Sequence, residues 1–160
     1  MNPCAASGRI DPKQVTRPKG TKPYKGNHQA LQDEGRALWN DPKLSSGGSL
    51  SCATCHQDGT AMLQPSFAKP YPHFVQMAAD SASMKSITLE EMVQLCMVKP
   101  MQATPLAWDS RQLAALTAYT AKLQKSFKPV AGAHNPCAAK NPCAARNPCS
   151  AGGTCAAKRH

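Results

Sequence analysis

Residues 51–59 read SCATCHQDG, and Cys52, Cys55 and His56 within them form the pattern C-x-x-C-H. Two thiols three positions apart on one helical turn can each join a vinyl group of haem as a thioether. The adjoining imidazole is then placed to ligate the iron through one ring nitrogen. Its other nitrogen needs an acceptor that fixes the tautomer, and a backbone carbonyl near Pro65 is the expected one. Other uses of paired cysteines fit less well. A redox C-x-x-C belongs in a βαβ setting, and strand signals are nearly absent from this chain. A zinc site wants a second ligand pair at short spacing, and no other C-x-x-C exists. One covalently bound haem c, held by Cys52, Cys55 and His56, is therefore expected.

The iron's sixth ligand has more candidates: Met62, Met77, Met84, Met92, Met97, Met101 and His73. Met92 and Met97 fall on a predicted helix, where methionine commonly fills core space. Met62 follows His56 too closely to reach the opposite haem face. Met77 and Met84 fall in a stretch read as loop without an anchor. Met101 follows Pro100 on an irregular segment, which can carry a thioether sulfur over the distal face without breaking a helix. Met101 is the expected distal ligand, with His73 and Met84 as alternatives. A His/Met pair raises the potential by favouring reduced iron.

Six cysteines remain: Cys4, Cys96, Cys137, Cys143, Cys149 and Cys155. The last four recur every sixth residue in NPCAAKNPCAARNPCSAGGTC, and Cys4 sits in a further copy of NPCAA. In an extended chain an even spacing puts the tail thiols on one face. Asn-Pro also suits the start of a helical turn, where amide dipoles lower a thiol's pKa and favour soft metals such as Cu(I) or Zn(II). Three readings stand: disulfide or structural cysteines, as an even count of thiols in an oxidising compartment suggests, a soft-metal site, or, for the tail, a disordered tether.

These groups need elements to position them. HQALQDEGRALWN predicts a helix from His28 to Asn40 with Leu31, Gly35, Leu38 and Trp39 on one side. TLEEMVQLCMVKP predicts another, with Thr88 and Glu91 as a capping box and Lys99-Pro100 as its stop. Asp109, with Gln112 in the matching position, is expected to cap a long last helix carrying Leu113, Leu116, Thr120, Leu123 and Phe127 along one face. LSSGGSLSC reads as flexible loop and QPSFAKPYPHF as irregular. The expected architecture is all-α, about three main helices around one covalent haem, with irregular tails. Residues 1–27 read as a basic Pro/Lys/Gly-rich arm, 28–128 as the haem-bearing domain and 129–160 as the Cys-rich repeat tail.

The formal charge of +10 is concentrated at the ends, and residues 27–128 are close to neutral. That distribution argues against a nucleic-acid-reading fold. It suits redox partner proteins of acidic surface, approached faster at low salt. No run of about 18 apolar residues is present, so no transmembrane segment is expected. Because haem attachment of this kind takes place outside the cytoplasm, a periplasmic or otherwise exported protein is expected, with its signal peptide absent from the sequence given.

The order of helix, CxxCH, loop, methionine and final aromatic-bearing helix resembles class I c-type cytochromes. In that family a glycine and an aromatic on the first helix pack against a leucine and a tyrosine on the last, and Gly35, Trp39, Leu116 and Tyr119 fit those places. KPYPHF, TLEEMVQLCMVKPMQATPLAWDS and LAALTAY are similar, more closely, to the monohaem cytochrome domains of the SoxA and thiosulfate dehydrogenase group, over about residues 28–127. The resemblance implies an electron-transfer protein or an enzyme of inorganic sulfur oxidation. The group's enzymes use a cysteine as ligand at the catalytic iron. The matching place here holds Met101, and Cys96 five positions earlier then reads as a buried thiol or a disulfide partner. An electron carrier rather than an enzyme is expected. A sulfur-compound (thiosulfate) oxidoreductase, or a copper-handling protein working through the tail, are the alternatives.

Overall fold

The computed structural model describes residues 8–129. Among them are five α-helices and no strand beyond the single bridge between His73 and Ile87. The helices are α1 (His28–Trp39), α2 (Cys52–Cys55), α3 (Gln76–Ala82), α4 (Leu89–Val98) and α5 (Arg111–Ser126). Three are long, as expected: α1, α4 and α5.

α1 starts at Asn27, whose side chain accepts the Ala30 N–H, and buries Leu31, Gly35 and Trp39. That stripe lies against α5. At the crossing a Cβ on Gly35 would overlap the Ala115 carbonyl, lying 2.6 Å from its carbon and 2.7 Å from Tyr119 Cβ. Only hydrogen fits there, so the backbones meet directly. Below it Trp39 meets Tyr119 edge-on, with ring centroids 5.6 Å apart. Glu34 and Arg111 bridge the same two helices at the surface, 2.6 Å apart.

α4 has the reciprocal capping box: the Glu91 N–H donates to the Thr88 hydroxyl, and the Thr88 N–H donates to the Glu91 carboxylate. Val93 and Leu95, two positions apart, point to opposite sides of the helix. Val93 joins the cluster of Trp39, Leu113 and Leu116, and Leu95 joins that of Val15, Ala78, Ala82 and Ile87. α4 therefore separates two small cores and is apolar almost all round.

The structure departs from the sequence reading at four places. α5 is capped one residue later, because the Ser110 hydroxyl accepts the Leu113 N–H while Ser110 itself is extended. α3 occupies a stretch read as loop and carries Met77. No side chain caps its start and it ends on Ser83 at φ 55, so its stability comes from burial of Ala78 and Ala82 rather than from local signals. The loop after α1 is organised by Ser45, which donates to the Pro42 carbonyl and accepts the N–H groups of Ser49 and Leu50.

The basic N-terminal segment is the fourth. It was expected to be an extended solvated arm, yet Val15 within it is fully buried. Arg17 explains the docking. Its guanidinium pairs with Glu90, its N–H donates to Glu91, and its Cζ lies 5.2 Å from the centre of the Trp108 ring. A cation over an aromatic face with a half-buried carboxylate beside it is a strong surface anchor. Arg17→Ala is expected to cost about 1–3 kcal/mol, since it also strands Glu90. Chemical denaturation with Arg17→Lys alongside checks this: lysine should recover only part of the loss, because it lacks the planar fork.

Candidate functional site

α2 is a single turn. The Ser51 N–H donates to Thr54 Oγ1 at 2.9 Å, and the His56 N–H closes the turn on the Cys52 carbonyl at 2.9 Å. Cys52, Cys55 and His56 thus stand at consecutive corners of one helical turn, the geometry that CxxCH haem attachment needs. Cys52 is a free thiol, raised to about 11 by burial, against a smaller opposing backbone hydrogen bond. Cys55 is disulfide-bonded. A sulfur in that state has to be reduced to the thiol before it can form a thioether.

His56 Nδ1 lies 2.9 Å from the Ala61 carbonyl. A carbonyl only accepts, so Nδ1 carries the proton and Nε2 keeps the lone pair that a metal requires. The acceptor is Ala61, not a carbonyl near Pro65. The chain returns to the ring within five residues because Asp58 and Gly59 take left-handed φ, at 55 and 79°. Such a compact reversal is hard to see from propensity, since the first of the two is not glycine. Burial lowers the His56 pKa, with the Ala61 hydrogen bond partly opposing. The Trp39 ring tilts over it at 5.7 Å, which ties the proximal side to the α1–α5 crossing.

The methionines separate by environment. Met77, Met84 and Met92 pack against the Val15–Ile87 cluster. Met97 is buried on α4, and Met62 is 56% exposed. Met101 is 5% exposed yet belongs to neither apolar cluster. It sits on the α4–α5 loop, with its N–H on the Cys96 carbonyl at 3.3 Å and its carbonyl receiving the Ser46 N–H at 3.4 Å. His73 is held by the bridge to Ile87 and by its Nδ1 on the Pro70 carbonyl at 3.1 Å. Its Nε2, carrying the lone pair by the same reasoning, is buried without a partner.

Cys96 is a free, half-buried thiol, so it is not a disulfide partner. Burial first, then the neighbouring Cys52, pushes it up to about 12. Tyr71 is pushed up to about 12 as well, by burial and then by Cys96. Cys52 thus acts on Cys96 and Cys96 on Tyr71, a coupling the sequence alone did not reveal. Cys4, Cys137, Cys143, Cys149 and Cys155 lie outside the described residues. Among the described residues no cluster of three His, Cys, Asp or Glu side chains could hold a metal ion, and no helix is long and apolar enough to cross a membrane.

The site fits haem c on its own evidence. Two cysteines bracket one turn, a histidine offers a fixed lone pair, and buried polar atoms at Trp39 Nε1 and His73 Nε2 have no protein partner. The family profile described as SoxA/TsdA, cytochrome c domain matches residues 34–128, from α1 through the end of α5. No curated protein and no solved structure gives a significant match.

Proposed function

The chain belongs to the SoxA/TsdA cytochrome c domain family, and on that premise we propose that it is an electron carrier whose haem iron is ligated by His56 and Met101. The family makes it a c-type cytochrome with covalently bound haem c and an electron-transfer role in general. The haem, when bound, supplies the one-electron chemistry. The chain's part is to fix two ligands, exclude water and keep the geometry alike in both oxidation states. The carrying observation is Met101: a buried thioether, outside both apolar clusters, on a loop tied to α4.

A second reading has its own support. Cys96 is a free thiol on α4 within electrostatic reach of Cys52, and the group's sulfur-oxidising enzymes use a cysteine as ligand at the catalytic iron. Against it, Cys96 lies within α4, five positions before the loop place that Met101 holds. The partners follow from charge: acidic redox proteins met outside the cytoplasm, where haem c is attached. One haem per chain follows from the single CxxCH.

The oxidised absorption spectrum separates the readings. The weak far-red band of methionine-to-iron(III) ligation is expected in the parent, absent from Met101→Ala and retained in Cys96→Ala. Thiosulfate should leave the haem oxidised. Loss of the band in neither variant, with thiosulfate-dependent reduction that disappears in Cys96→Ala, would replace the carrier by the enzyme.

A further inference from the structure

The α4–α5 loop leaves the helix at Lys99, passes Met101 and takes a left-handed φ of 51° at Gln102. A non-glycine residue in that region is held there by its surroundings. The bonds at Met101 itself are long, at 3.3 and 3.4 Å, and two positions on the Ala103 N–H donates to the Met97 carbonyl at 2.9 Å. Farther along the loop the attachment is stronger. Gln94 is fully buried on α4, and its side-chain amide forms a two-bond ring with the backbone of Leu106. Nε2–H donates to the Leu106 carbonyl at 2.6 Å, and the Leu106 N–H donates to Oε1 at 2.9 Å. The side chain thus copies the exchange that a paired strand would offer, and it reaches 12 positions along the chain. A buried amide satisfied on both atoms by one backbone unit specifies a single loop position.

We propose that Gln94 is the positioning residue for the distal ligand: it closes the loop over the site and so holds Met101 toward the iron. The proposal rests on the Met101 reading above. Gln94 and Cys96 stand two positions apart on the same helix. Cys96 is fixed by the helix itself, whereas Met101 rides on the loop that Gln94 and the Ala103–Met97 bond hold to α4. Releasing the clamp loosens one sulfur and leaves the other where it was. Gln94 therefore decides which of the two sulfurs the site presents.

Displacement of the distal ligand by added imidazole, in the oxidised holoprotein, reads loop opening directly. Gln94→Met keeps the volume and loses both bonds, and it should speed displacement about tenfold or more. Gln94→Glu keeps the acceptor and loses the amide donor, and it should fall between Gln94→Met and the parent. Ile87→Val, a core change in the other cluster, controls for general destabilisation and should leave the rate within about twofold of the parent. The far-red band should weaken in the Gln94 variants and stay intact in Ile87→Val. A rate in both Gln94 variants no faster than in Ile87→Val overturns the clamp, with the Met101 reading left standing if the parent band is present. A parent without that band removes the Met101 reading and the positioning role with it.

Discussion

Gly35→Ala is expected to cost the domain about 3 kcal/mol or more, a large part of a typical domain's stability. The methyl group would overlap the carbonyl oxygen of Ala115 and crowd its carbon and Tyr119 Cβ. Both obstacles on the α5 side are backbone or attached directly to it, so no flexible side chain can swing away. The helices must separate, and separation unstacks Trp39 from Tyr119 and from His56. Helix propensity pulls the other way, since alanine is favoured over glycine inside a helix by roughly 1 kcal/mol. The crowding outweighs that gain because the contact is with main chain at sub-van-der-Waals distance. Guanidinium denaturation followed by helical circular dichroism measures the balance. A variant as stable as the parent would mean the two helices do not cross at Gly35.

The second large effect concerns haem retention. Cys52→Ser and Cys55→Ser should each leave one thioether, and the double substitution none. Extraction of the acid-denatured protein into organic solvent should leave haem on the polypeptide for the parent and each single variant, and remove it from the double. Haem that stays with the doubly substituted chain would sink the assignment of these two residues.

The parts of the site legible in the sequence were those whose chemistry requires fixed residue types at fixed spacing. CxxCH needs two thiols and an imidazole on one turn, and the capping box needs Thr88 and Glu91 three apart; the structure has that turn and that box. The Gly35–Trp39 pair was legible through resemblance, and the α1–α5 crossing bears it out. What escaped depends on tertiary context. Val15 looks like any residue of a basic, proline-rich segment until Arg17 finds Glu90 and Trp108, some 73 positions away from the first of them. α3 has no cap and owes its form to the side chains it covers. Nothing local in the sequence says that the Gln94 amide seeks a backbone 12 positions ahead. Ala61 reaches His56 only because Asp58, like Gly59 after it, accepts left-handed backbone.

The crossing at Gly35 also joins parts of the chain that lie far apart in sequence. Its two helices are joined by an ion pair 77 positions apart in the chain, and the attachment turn lies inside the intervening loop. Closing a loop of that length costs about 4 kcal/mol in chain entropy before any contact rewards it. The Gly35 contact thus also holds closed the loop that bears Cys52, Cys55 and His56.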